Sequence, residues 1–86
     1  MKYVSFENQA LKDYSEWAIK NKKIFNKINI LIKTIQRTPY EGQGNPEPLK
    51  YEYSNYWSRR ITKEDRLVYK IEDENIYIAQ CKGHYS

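Results

Sequence analysis

The chain has 86 residues, 40% hydrophobic and 15% aromatic, with a net charge of +4; this is too apolar for a disordered tail and long enough for one domain, taken as residues 1–86. A single cysteine, no apolar leader at the N-terminus and no stretch near the roughly 20 apolar residues of a membrane span argue against a disulfide framework, a secreted protein and a membrane protein, and point to a soluble, cytoplasmic one. Residues 1–40 carry eight Lys/Arg against three Asp/Glu and residues 41–86 carry seven against eight, so a polyanion would be drawn to the first half.

The segment Lys2–Phe6 (KYVSF) has the aromatic and branched residues of a short strand. Asn8 is expected to cap a helix whose inner face carries Leu11, Tyr14 and Ala18, with Trp17 beside it. Asn21-Lys22-Lys23 reads as a break. The clearest period follows: Ile24, Ile28, Leu31 and Ile35, widened by Phe25 and Ile32. Two helices so closely joined form an antiparallel hairpin. Lys20, Lys22, Lys23 and Lys27 give it a basic surface.

Residues 38–48 (TPYEGQGNPEP) hold three prolines and two glycines and read as a loop. Four strand-like runs come next: Leu49–Tyr53, Tyr56–Ile61, Arg66–Ile71 and Ile76–Lys82. Polar turns at Thr62–Asp65 and Glu72–Asn75 join the last three. The expected fold is α+β: an N-terminal strand, an antiparallel helix hairpin, then an antiparallel β-meander, with the helices on one face of the sheet.

Chemistry has few places to reside. Cys81 and His84 are half of a zinc-site pattern with no second half, so no metal is expected. Cys81 reads as a small buried side chain of the last strand. No phosphate-binding glycine motif is present. What remains is a set of ionisable groups: Glu47 between two prolines, Lys50, Arg59 and Arg60, Arg66, and the terminal His84 and Tyr85. A carboxylate and an imidazole can act as base and acid, and fixed cations can stabilise a pentavalent phosphate. Tyrosines offer faces for unpaired bases. Metal-free RNA cleavage by the substrate's own 2′-hydroxyl needs that combination.

Strand alternation leaves two matters open. Arg59 and Arg60 point to opposite faces. If Ile61 pairs with Arg66, Arg59 shares the Arg66 face; if Arg60 pairs with Arg66, Arg60 does. A regular last strand would put Tyr85 on the Arg66 face and His84 opposite, unless Gly83 breaks the alternation.

The stretches GNPEPLK (44–50), WSRRIT (57–62), RLVY (66–69) and the closing HY (84–85) resemble the YoeB/Txe family of type II toxins, within the RelE superfamily. The resemblance runs nearly end to end. It implies a RelE-like α+β fold with a curved sheet, and a ribosome-dependent mRNA endonuclease acting in the A site without a cofactor. By analogy Glu47 is the general base, His84 the general acid and Arg66 the stabiliser of the transition-state phosphate. Lys50 and Arg60 bind phosphate, Tyr85 positions substrate, and Arg60 rather than Arg59 faces the site. The implied partners are mRNA, the ribosome and a cognate antitoxin, with a homodimer also known in the family. The chain departs from the family pattern at Asp65, where histidine is common, at Gly83, where a bulkier residue is common, and in the extra Ser86. Two other readings compete: a gyrase-directed toxin of the same superfamily, and an RNA- or ribosome-binding module without catalysis.

Overall fold

The computed structural model describes residues 3–84. Its elements are β1 (Tyr3–Phe6), α1 (Asn8–Lys20), α2 (Lys22–Arg37), β2 (Glu47–Pro48), a 3₁₀ turn at Tyr51–Tyr53, β3 (Tyr56–Arg60), β4 (Arg66–Glu72) and β5 (Asn75–Gln80). The sheet order is β1-β5-β4-β3-β2. From β2 to β5 neighbouring strands are antiparallel, the expected meander. β1 adds to the far edge parallel to β5, made possible by the helix hairpin that separates it from the meander.

Several boundaries differ from the sequence expectation. Glu7, not Asn8, caps α1: its carboxylate accepts from Gln9 N–H at 2.7 Å while Asn8 is already helical. A negative group also suits the positive end of a helix. The break between the helices is Asn21 alone. Its amide oxygen accepts from Ile24 N–H at 3.2 Å and caps α2. The run Leu49–Tyr53 is not a strand. Pairing with β3 covers Glu47 and Pro48 and ends at the Leu49 N–H to Tyr56 O bond, after which Tyr51 turns with a positive φ of 60°. β2 is an edge strand, where prolines that cannot donate are tolerated.

The α2 stripe supplies the core. Ile28, Leu31 and Ile35 are fully buried and pack on Leu67, Tyr69, Ile76 and Ile78 from one face of the sheet. The opposite face carries Tyr56, Ser58 and Arg60 of β3 across from Lys70, Val68 and Arg66 of β4. Among the described residues, no helix is long and apolar enough to cross a membrane.

Cys81 lies one residue past β5 rather than within it, yet it is fully buried in the helix-side core. Its Sγ is 3.4 Å from Ala10 O, and burial pushes its thiol pKa up to about 12. The protonated thiol is therefore the form present at neutral pH, which suits a core side chain rather than a nucleophile. Trp17 Nε1 donates to Cys81 O at 3.0 Å and ties the end of β5 to α1.

Candidate active site

Glu47, Arg60, Arg66 and His84 line one open concavity of about 350 Å³ on the sheet face opposite the helices, together with Asn45 and Ser58. The register decides which arginine takes part. Arg60 pairs with Arg66, so these two share the outer face and Arg59 turns into the interior.

His84 reaches this face through a bulge. Val68 pairs with Gln80 but Tyr69 pairs with Ile78, which leaves Ala79 as an extra residue in β5. One extra residue reverses the alternation. Gln80 therefore joins the outer face, Cys81 turns into the core, and His84 falls on the side of Arg66. The alternation, left open at Gly83, is broken earlier, at Ala79, and Gly83 adds a left-handed turn, φ 73°.

Glu47 is brought in by the loop. Gly44 O accepts from Arg60 N–H at 2.7 Å, so the GNPEP segment is seated directly on β3. Gly44 has φ 85°, and a Cβ there would stand 3.0 Å from both Arg59 Cβ and Leu31 Cδ2. That close approach and that backbone conformation both require glycine. Three residues on, Glu47 pairs with Ser58 across β2 and β3, and Asn45 Nδ2 donates to Glu47 Oε1 at 3.1 Å. This bond leaves the second carboxylate oxygen unclaimed by side chains among the described residues.

The Arg66 guanidinium is anchored by one nitrogen. Its Nη1 donates to Thr62 O at 2.8 Å, Asp65 O at 3.1 Å and Lys63 O at 3.2 Å. Among the described residues, its Nε and Nη2 make no hydrogen bond. A fork held at one end and open at the other suits a phosphate oxygen pair. The ion pairs Lys20–Glu16 and Lys70–Glu72 lie outside the concavity. Two arginines against one carboxylate leave the site positive.

Lys50 is not in this concavity. It lines the adjoining groove beside Pro48 and Tyr51, which shares Glu47 with the first. Tyr85 lies outside the described residues. Asn45 and Ser58 join the site without a sequence expectation behind them. Ser58 is accessible to period-2 counting back from Arg60, whereas Asn45 depends on a loop conformation with φ 52° that composition only permits.

Known proteins share both sequence and shape with this chain. The family of YoeB-like toxins of bacterial type II toxin–antitoxin systems matches residues 6–85. Toxin YoeB of Escherichia coli K12 is 50% identical over 80 residues, 93% of this chain and 95% of that protein. A YoeB/ParE toxin from Agrobacterium tumefaciens superposes with a TM-score of 0.94 at 39% identity, covering 96% of this chain and 99% of that one. The Staphylococcus aureus YoeB, in its complex with YefM, superposes with a TM-score of 0.91 at 48% identity over 95% of both chains; it has also been solved as a dimer, with a TM-score of 0.91 at 46% identity over 96% and 97%. With the fold, the motifs and the full-length match in agreement, the chain belongs to the YoeB family of type II toxin–antitoxin toxins.

Proposed function

We propose that this toxin is a ribosome-dependent mRNA endonuclease that cleaves in the A site without a metal. The observation that carries this reading is the convergence of Glu47, Arg60, Arg66 and His84 on one concavity from four separate segments of the chain. Glu47 takes the proton of a ribose 2′-hydroxyl, and the resulting oxygen attacks the adjacent phosphorus. Arg66, with Arg60, meets the negative charge that grows on the pentavalent phosphate. His84 protonates the departing 5′-oxygen. The products are a 2′,3′-cyclic phosphate, or the 3′-phosphate formed from it, and a 5′-hydroxyl. Lys50 binds the phosphate backbone in the adjoining groove, and Tyr85 positions the substrate. An antitoxin of the YefM kind is the inhibitory partner, supported by the S. aureus complex, and the S. aureus dimer supports self-association.

The test is to treat the purified protein with EDTA, dialyse it free of chelator, add it to ribosomes programmed in magnesium buffer, and map mRNA ends. Cleavage within the A-site codon is expected. Substituting Glu47→Ala or Arg66→Ala should lower the rate by roughly 10² to 10⁴. Loss of cleavage by the EDTA-treated protein, or wild-type rates in both variants, would overturn the mechanism. A supercoiling assay with gyrase on the same preparations is expected to show no inhibition.

The basic helices serve a different role in this reading. Lys20, Lys22 and Lys23 are exposed and Lys27 is partly so, and all four lie on the helix hairpin, away from the cleaved strand. They dock on ribosomal RNA. Changing them to glutamine should weaken ribosome association and flatten its salt dependence, with the log–log slope falling by about 0.7–0.9 for every phosphate no longer neutralised. Unchanged affinity and slope would reduce them to solvated surface.

A further inference from the structure

We propose that Asp65 is a positioning residue for His84: it holds the backbone of Gly83 and so fixes where the imidazole stands. The inference rests on the reading of His84 as the general acid. Asp65 Oδ1 accepts from Gly83 N–H at 2.8 Å. The neighbouring Arg66 N–H donates to Gly83 O at 3.0 Å, and Gln80 Nε2 donates to the same oxygen at 3.2 Å. Both backbone polar groups of Gly83 are thereby occupied, one by a side chain and one largely by the backbone next to it. The residue that follows is His84.

Asp65 is built for this contact. It is only 9% exposed, and a buried carboxylate needs partners for both oxygens. Oδ2 accepts from Thr62 Oγ1 at 2.8 Å, while Thr62 Oγ1 accepts from the backbone N–H groups of Asp65 and Glu64. Among the described residues, no cation pairs with the carboxylate. The guanidinium of Arg66 goes instead to the Asp65 carbonyl. The side chain is therefore fixed to its own turn by one oxygen and reaches the C-terminal segment with the other.

Gly83 shows what is being held. A Cβ at this position would meet no heavy atom within 4 Å, so space does not call for glycine. Its φ of 73° does. The left-handed turn aims His84 at the concavity, and the Asp65 bond keeps that turn closed. Positions 65 and 83 are the two ends of one hydrogen bond. Residues 65 and 66 also couple two parts of the site, because the dipeptide that supplies the phosphate-binding arginine also clamps the segment that carries the acid.

The test uses the full chain with Asp65→Ala, Asp65→Asn, Gly83→Ala and His84→Ala. The readouts are amide exchange at Gly83 in the free protein, the single-turnover cleavage rate at saturating protein on programmed ribosomes, and the half-saturating concentration. In Asp65→Ala the Gly83 amide should exchange roughly tenfold faster or more, and the cleavage rate should fall roughly tenfold or more with half-saturation unchanged. Asp65→Asn keeps a carbonyl oxygen for Gly83 but sets its NH₂ against Thr62 Oγ1, which already accepts two backbone N–H groups, so it should restore only part of both. Gly83→Ala attacks the other end without crowding and should lower the rate even if Asp65→Ala folds poorly. A wild-type rate in Asp65→Ala or Gly83→Ala while His84→Ala is inactive would overturn the positioning role, as would an Asp65→Asn protein no better than Asp65→Ala. If His84→Ala itself cleaves at the wild-type rate, the general-acid reading fails, and exchange at Gly83 still reports separately whether the Asp65 bond holds that backbone.

Discussion

Replacing His84 by glutamine should lower mRNA cleavage by about 10² to 10⁴ and leave the fold intact. The fold should survive because His84 is exposed, and the last fully buried side chain before it is Cys81. A surface change of this kind is worth at most about 0.5 kcal/mol, or a melting shift of up to roughly 4 °C for a domain of this size. Activity should fall because a ribose 5′-oxygen departing without a proton is a poor leaving group, and glutamine has no proton to transfer in the working pH range. Deleting residues 84–86 carries the same expectation with a complication. It turns Gly83 O, the acceptor of Arg66 N–H, into a terminal carboxylate. The point substitution isolates the imidazole. A substrate with sulfur in place of the 5′-bridging oxygen sharpens the test, since a thiolate leaves unprotonated. His84→Gln should cleave it at close to the wild-type rate, whereas Glu47→Gln should not recover. Wild-type cleavage of ordinary mRNA by His84→Gln, or no recovery on the sulfur substrate, would remove His84 from the acid role.

Much of the framework around this site is written in local pattern. The α2 stripe Ile28, Leu31 and Ile35 is helical in spacing and fully buried in fact. The three later strands and their polar turns follow from period-2 segments and are displaced by only one or two residues at their ends. The parts that local pattern leaves open are those set by pairing between distant segments. Arg59 and Arg60 are equivalent by alternation, and only the Arg60–Arg66 register separates them. The side chosen by His84 depends on an extra residue at Ala79, and nothing in the run NIYIAQ distinguishes a bulge from regular strand. Local pattern favours a strand at Leu49–Tyr53 over the short β2, because Glu47 and Pro48 have low strand preference and pair only through contact with β3. The loop conformation that delivers Glu47 has no period at all, and the residue that secures it lies in another element.

That residue is Arg59, and changing it to alanine should cost stability and activity together. Arg59 is fully buried, and among the described residues no carboxylate pairs with it. It is satisfied instead by loop carbonyls: Nη2 donates to Thr38 O at 2.7 Å and Glu41 O at 3.0 Å, and Nη1 to Gln43 O at 3.0 Å. Its Nε donates to Tyr69 Oη at 3.0 Å, and that hydroxyl donates on to Pro39 O at 2.7 Å. Four carbonyls from residues 38–43 thus converge on one guanidinium and one phenol. These are the residues that lead into Gly44 and Glu47. Burial raises the Tyr69 pKa while the hydrogen bond from Arg59 opposes the rise, so the phenol stays protonated and able to donate to Pro39. Removing the guanidinium takes a donor from three loop carbonyls and leaves Gln43 O with none among the described residues, since Thr38 O keeps Glu41 N–H and Glu41 O keeps Thr38 Oγ1, and it opens a void beside Tyr69. Roughly 3 kcal/mol of destabilisation is expected, a fall in melting temperature of about 12–24 °C. Tyr69→Phe breaks fewer hydrogen bonds and should cost about 1–2 kcal/mol. Arg59→Lys should fall between wild type and alanine, because a single ammonium cannot span acceptors arranged for a planar fork. Below the melting transition, Arg59→Ala should still cleave more slowly than wild type, since Glu47 is delivered by the loop that Arg59 holds. Thermal unfolding and single-turnover cleavage on the same preparations check both effects. Unchanged melting would show that the loop carbonyls find water at no cost, and unchanged cleavage in the folded variant would separate the placement of Glu47 from the Arg59 anchor.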